Sequence, residues 1–341
     1  MNKMALMRSP SRTQLRLILI IMLGLAFITL VISNIGRRLF KETPAVLFSS
    51  SELSRFKETL AKWPNKPKAV IYFLVQGNPN SWAKFGKSLK LLDANFNGVY
   101  RYPVVVFHET GVTFQQMNDL RRETSSDVYF QLVVFNVPQF LTETPPNRTA
   151  CSKHGVGYRH MCRFHAGTVY DQPVFNDLEF YWRLDDDSQI LRPINYDVFS
   201  FMKIKNLWYG YILITHEPQQ CVTGLWELTE DYLHSSKIQT PQSFYKWKKR
   251  NMFYNNFEIS RVDIWKNDNY VRYFDHVDKS GGIYYHRWGD AVIKGLGVAM
   301  FVPTEKTHCF DDIKYKHGFW DVSMRSLPSC NINIPHRRTR H

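Results

Sequence analysis

The sequence predicts an α/β domain with a mainly parallel central sheet, preceded by an N-terminal transmembrane helix. Three observations carry this. From Ala69 onward, apolar runs of strand length alternate with stretches of helical periodicity, the pattern of βαβ units whose sheet is covered on both faces. Residues 17–36 (LILIIMLGLAFITLVISNIG) carry no charge, and twenty residues at about 1.5 Å each span the roughly 30 Å hydrocarbon core. The 341 residues, 44% hydrophobic and 22% charged, supply a sizeable core and exclude a disordered or fibrous chain.

The elements follow in order. Residues 40–68 form a polar stem with helical pieces, closed by Trp63-Pro64-Asn65-Lys66-Pro67. Ala69–Val75 (AVIYFLV) is a continuous apolar strand of the kind buried on both faces. A loop at 76–80 carries Gly77 and Pro79, and Trp82, Phe85, Leu89, Leu92 and Phe96 then recur at helical spacing. A second strand at 104–107, a helix at 114–120 and a third strand at 128–135 continue the alternation. Residues 178–184 (LEFYWRL) and 207–214 (LWYGYILI) read as further strands, and Asp290–Phe301 as a helix rich in small residues. The plan is a cytoplasmic tail (1–16), a signal anchor (17–36), a stem (37–68), a luminal domain (69–330) and a basic tail (331–341). No GxGxxG or GxxxxGK[ST] occurs, which disfavours a dinucleotide or P-loop site.

The net charge of +14 raises nucleic acid as a partner. Its distribution argues against one: seven basic residues fall in 1–41 and three in 331–341, with no acid in either, leaving +4 on residues 42–330. The long apolar run, the absence of a small-x-small cleavage site and Arg37-Arg38 directly after it favour an uncleaved anchor over a signal peptide. Four basic residues before the run against three after it bias the N-terminus towards the cytoplasm. A sequon at Asn147-Arg148-Thr149 fits luminal placement. Five cysteines permit at most two disulfides, their pairing open, and the absence of CxxC disfavours structural zinc.

The sharpest chemical feature is Arg183-Leu184-Asp185-Asp186-Asp187-Ser188, at the end of an apolar strand. In open α/β sheets ligands sit at the carboxyl ends of the strands. Carboxylates at i and i+2 held there can grip Mg²⁺ or Mn²⁺, and the cation can neutralise a diphosphate. In isolation an acidic turn is the plainer reading of three aspartates; the apolar strand before them favours the metal. Read singly, Glu258 is a solvated glutamate, His317 a structural or surface histidine, Asp290 a helix cap and Tyr158 a core residue. Arg159, Arg163 and Arg183 read as surface charges or as diphosphate partners. Asp311-Asp312 is a weaker candidate for metal.

Further motifs stand in one order: YRHMCRF at 158–164, YWRLD at 181–185, INYD at 194–197, NFEI at 256–259, FDHVDKSGG at 274–282, RWGDA at 287–291 and HCFDDIKYKH at 308–317. Together they resemble the fungal Golgi α-1,2-mannosyltransferases of glycosyltransferase family 15. The resemblance covers residues 69 to about 317 and implies a GT-A-like fold, GDP-mannose as donor, a mannosylated glycoprotein glycan as acceptor, Mn²⁺ as cofactor and retention at the anomeric carbon. It implies a single-pass type II protein of the Golgi membrane.

Carried over residue by residue, the resemblance makes Glu258 the proposed nucleophile and Asp290 a carboxylate near the reaction centre. Tyr158, Arg159 and Arg183 line the donor side. Asp185 and His317 hold the metal. The family pattern has Glu-Pro where this chain has Asp-Asp-Asp-Ser, which lets Asp187 join Asp185. A transferase with another sugar donor or acceptor is the alternative on the same frame. A catalytically silent lectin-like assembly factor is a third reading, but such a chain is free to lose Asp185, Glu258 or Asp290, and all three are present.

Overall fold

The computed structural model describes residues 45–47, 49–151, 154–318, 320–321 and Cys330. The span expected at 17–36 and the basic tail lie outside the described residues. Among the described residues no helix is long and apolar enough to cross a membrane.

The strands are β1 (Ala45–Leu47), β2 (Ala69–Val75), β3 (Val104–His108), β4 (Val128–Val134), β5 (Phe180–Leu184), β6 (Ser188–Ile190) and β7 (Tyr209–Tyr211), followed by β8 (Ile214–His216), β9 (Asn251–Phe253), β10 (Phe257–Arg261), β11 (Thr307–Cys309), β12 (Tyr315–His317) and β13 (Trp320–Asp321). The principal helices are α1 (Ser50–Ala61), α2 (Pro79–Leu92), α3 (Phe114–Glu123), α4 (Val156–Ala166), α5 (Val198–Ile204), α6 (Leu225–Ser236), α7 (Asp268–Lys279) and α8 (Asp290–Phe301). Eight strands form one sheet in the order β1-β4-β3-β2-β5-β10-β7-β11. The block β4-β3-β2-β5 is parallel, as expected. β10 then enters antiparallel between β5 and β7, and β11 lies parallel to β7. A small sheet β13-β12-β6 and the pair β8-β9 complete the strands described.

Alternation along β2 explains why its sequence is apolar throughout. Val70 and Tyr72 enter one core, while Ala69, Ile71, Phe73 and Val75 enter the other. Local signals set the connections. Asn78 caps α2 by accepting the Ser81 N–H, with Pro79 in the first turn. Thr113 and Gln116 form a capping box at the start of α3. The loops after β2 and β3 meet backbone to backbone at Gly77, where a Cβ would lie 1.5 Å from the Thr110 carbonyl oxygen.

Two expectations are corrected. The apolar run at 207–214 is two strands: β7 joins the large sheet and β8 pairs with β9. Ile212 and Leu213 between them are both buried, so apolarity is continuous across the break. The stem is also shorter than expected. β1 covers the outer edge of β4. On α1, buried Phe56 packs edge-on against Tyr129, whose hydroxyl lies 2.7 Å from Thr59 Oγ1. Residues 45–61 therefore belong to the folded domain. Disulfides join Cys151 to Cys221 and Cys309 to Cys330, leaving Cys162 as a buried thiol.

Candidate active site

Strand β5 organises the site. Arg183 stands opposite Glu258 of β10 on one side and Tyr72 of β2 on the other, and residues in register share a face. Tyr181, two residues earlier, points the same way. Helix α8 lies over that face and delivers Asp290 and, one turn later, Lys294. Asp185 follows at the end of β5. The pairing of β12 with β6 sets His317 opposite Ser188, which brings the late histidine beside the aspartate turn.

Asp185, Asp187 and His317 are thus brought together. His317 Nε2 lies 2.8 Å from Asp187 Oδ1 and 3.5 Å from Asp185 Oδ2. Its Nδ1 lies 2.8 Å from Tyr254 Oη and 2.7 Å from Asn256 Nδ2. Burial would lower the His317 pKa, but the hydrogen bonds to Asp185 and Asp187 outweigh it and lift it to about 11. Burial would raise Asp185, yet the Arg183 charge and His317 hold it far below the usual carboxylate range. The His317 hydrogen bond likewise lowers Asp187. Among the described residues no three His, Cys, Asp or Glu side chains are set around one point as a ready-made metal cage. The donor set itself fits Mn²⁺: two hard carboxylates and one imidazole whose second nitrogen already has partners.

Arg183 links this cluster to the interior. Its Nη2 donates to Asp185 Oδ1 at 3.1 Å and its Nη1 to Asp290 Oδ2. Asn255 Nδ2 also donates to Asp290, at 2.9 Å. Burial would raise the Asp290 pKa, but Arg183 keeps it low. Asp290 is therefore no helix cap: Gly289 occupies the cap position, and the carboxylate is turned to Arg183. The Arg183 Nε is buried and meets no partner among the described residues.

Glu258 sits deeper. It and Lys294 are both 0% exposed. Lys294 Nζ and the Tyr181 hydroxyl donate to Oε1, and the Tyr209 hydroxyl donates to Oε2 at 3.0 Å. Lys294 also reaches Tyr170 Oη at 2.5 Å. Burial pulls the Lys294 pKa down against the Glu258 charge. Both oxygens of the expected nucleophile are therefore occupied.

Of the donor-side residues, Arg183 is in the cluster and Tyr158 is near it: Arg287 Nη2 donates to the Tyr158 hydroxyl at 2.8 Å and Nη1 lies 3.3 Å from Glu217 Oε1. Arg159 is not brought there. Its guanidinium is buried against the carbonyl oxygens of Tyr284 (2.8 Å), Pro146 (2.5 Å) and His154 (3.4 Å), so it ties a loop and a helix end to α4. Asp312 accepts from Tyr196, as a surface contact apart from the aspartate turn. Sequence reasoning missed Lys294, Tyr181, Tyr209, Glu217 and Arg287. Lys294 was findable: it is a lysine inside an otherwise apolar helix, four residues after Asp290.

The glycolipid 2-alpha-mannosyltransferase family model matches residues 40–326. This chain belongs to that family. Glycolipid 2-alpha-mannosyltransferase 1 of Candida albicans is 33% identical over 296 residues, 78% of this chain and 68% of the relative. Alpha-1,2 mannosyltransferase KTR1 of Saccharomyces cerevisiae is 27% identical over 313 residues, 84% of this chain and 79% of the relative. Among solved structures, core-mannan synthase A of Aspergillus fumigatus, in its Mn/GDP form, superposes with a TM-score of 0.67 at 25% identity over 78% of each chain. Mannosyltransferase Ktr4p of S. cerevisiae, in complex with GDP, superposes with a TM-score of 0.67 at 23% identity over 84% of this chain and 86% of that one. The fold shared with these structures is GT-A-like, with the mainly parallel block at its centre.

Proposed function

We propose that this chain is an α-1,2-mannosyltransferase that moves mannose from GDP-mannose to a mannose hydroxyl on a glycoprotein glycan, with retention. The observation that carries the reading is the convergence of Asp185, Asp187 and His317 at the carboxyl end of β5 in a chain of this family. The bond from the anomeric carbon to the diphosphate oxygen breaks, a bond to the acceptor oxygen forms, and the acceptor hydroxyl's proton passes to the departing diphosphate oxygen. Asp185, Asp187 and His317 would hold Mn²⁺, which when bound supplies charge neutralisation for the departing diphosphate.

The remaining residues act by position and charge. Arg183 fixes Asp185 and Asp290 relative to one another. Asp290, held by Arg183 and Asn255, presents a carboxylate kept ionised beside the sugar. Glu258 has both oxygens engaged, so this reading assigns it fixed negative charge that stabilises positive charge developing at the anomeric carbon, in place of covalent attack. Tyr158 and Arg287 border the same region and are assigned to substrate hydroxyls.

The chain is placed in the Golgi membrane as a single-pass type II protein with its catalytic domain luminal. The apolar run at 17–36, two disulfides suited to an oxidising compartment and an exposed Asn147 in the sequon support this. The test is to incubate the purified chain with GDP-mannose, Mn²⁺ and α-methyl mannoside and to determine the linkage of the product. An α-1,2 dimannoside that vanishes with chelator is expected. Transfer from a different sugar nucleotide in preference to GDP-mannose overturns the donor, and full turnover in excess chelator overturns the metal.

A further inference from the structure

We propose that Asp186, the middle residue of the aspartate run, is a positioning residue that fixes its two neighbours for the divalent cation by tying their turn to helix α2. The proposal rests on the reading of Asp185, Asp187 and His317 as the cation's ligands. Ser81, Lys84 and Ser88 fall on one stripe of α2, and all three meet the turn. The Ser81 hydroxyl donates to Asp186 Oδ2. The Ser88 hydroxyl donates to the Asp186 backbone carbonyl at 2.8 Å. Lys84 Nζ lies 3.8 Å from Asp187 Oδ2. On its other side the turn is closed by Ser188, whose N–H donates to the Asp185 carbonyl and whose hydroxyl accepts the Asp185 N–H, each at 3.0 Å.

The three aspartates thus divide their work. Asp185 and Asp187 contact His317, and Asp186 spends its side chain on Ser81. A ligand carboxylate binds well only when its outer partners hold it in place, and loss of such a partner commonly costs ten- to a hundred-fold in metal affinity. Ser81 has a further attachment: its Oγ accepts the Gln76 N–H at 3.1 Å. The loop after β2 lies at the carboxyl end of a parallel strand, where nucleotides bind in open α/β sheets. One hydroxyl therefore joins that loop to the aspartate turn.

The test is a Mn²⁺ titration of the full chain, read by electron paramagnetic resonance of free Mn²⁺, without nucleotide or donor sugar, on variants whose folding is checked by circular dichroism. Asp186→Ala and Ser81→Ala should each weaken Mn²⁺ about tenfold, and the double variant should be no weaker than either single one. Asp186→Asn, whose amide oxygen still accepts from Ser81, should stay within about threefold of the native chain. Equal losses in Asp186→Asn and Asp186→Ala beside native binding in Ser81→Ala would mean that Asp186 acts through its charge or as a ligand, which overturns the proposal. Native binding in both Asp186→Ala and Ser81→Ala overturns it as well. Should Asp186→Ala fail to fold, Ser81→Ala decides alone, since it removes one hydroxyl. His317→Ala separates the two levels: native Mn²⁺ binding there overturns the ligand reading and this proposal with it, whereas the Ser81 outcomes bear on the positioning role only.

Discussion

Two histidines lie near Arg183, and they differ in charge: His317 is held protonated and His165 neutral. His317 lies between Asp185 and Asp187, all three about a quarter exposed, and its pKa is lifted to about 11. His165 is buried on the same face of the sheet, 3.3 Å from the Tyr72 hydroxyl. Burial, then the Arg183 charge, lowers its pKa to about 3. The Glu258–Lys294 pair belongs with His165 on the sealed side, Asp185 and Asp187 with His317 on the open side. The open cluster can exchange a proton for a cation because water reaches it. The sealed cluster cannot exchange anything without leaving a charge unpaired in the core. Ligand chemistry therefore belongs to the rim of the sheet, and fixed charge to its interior.

The largest effect expected is on the open side. Asp185→Ala and His317→Ala should each lower kcat/KM for mannosyl transfer by about a thousand-fold, or about 4 kcal/mol, with a smaller effect on the thermal stability of the Mn²⁺-loaded chain. Steady-state kinetics at saturating Mn²⁺, beside a melting curve, checks this. An equal fall in stability and rate would move His317 to the structural side of the comparison.

The sealed side should respond in the reverse manner. Lys294→Met leaves the Glu258 carboxylate buried without its cation, which should cost about 3–5 kcal/mol in a denaturant titration. Adding Glu258→Gln should restore at least half of that loss. If the double variant is no more stable than the single one, the pair is not the source of the penalty.

The smallest effect is a slope. The His165 pKa is lower in the folded chain than in the unfolded one, so the unfolded state binds more protons between pH 6.5 and about 3. Stability from this residue is full above pH 6.5 and is lost as pH falls, at about 1.4 kcal/mol per unit. His165→Gln should flatten the acid limb of the stability curve by about that slope. In metal-free protein His317 works in the opposite sense: its contribution is full below pH 6.5 and is lost as pH rises towards 11. An unchanged acid limb in His165→Gln would show that the sealed histidine is not held neutral.

Much of the fold was legible because it rests on local signals. Ala69–Val75 and Asp290–Phe301 have the bounds expected of them, since a doubly buried strand and a small-residue helix leave contiguous traces in composition. β10 lying antiparallel beside β5 was not legible, because strand direction leaves no trace in apolarity. Nor was β1, three residues whose role is to cover an edge. In the site, the aspartate turn was visible as a motif at a strand end, and His317 through its resemblance. The fate of Arg159 was not, since an arginine bonded to carbonyl oxygens looks in sequence like one that binds phosphate. Lys294 stood out as a lysine in an apolar helix, but its partner was hidden: only the fold shows that it faces a glutamate from another element.

The Cys309–Cys330 bond has a consequence for the site. His317 lies in the twenty residues between these cysteines, a segment that leaves the sheet at β11 and is clasped back beside Tyr211, whose hydroxyl donates to the Cys330 carbonyl at 3.3 Å. Closing a loop of this size removes about 3 kcal/mol of freedom from the open chain. The clasp therefore adds a covalent restraint to the strand pairing that seats the third arm of the cation grip, and a copy of the chain kept under reducing conditions holds His317 by the β12–β6 pairing and its hydrogen bonds alone.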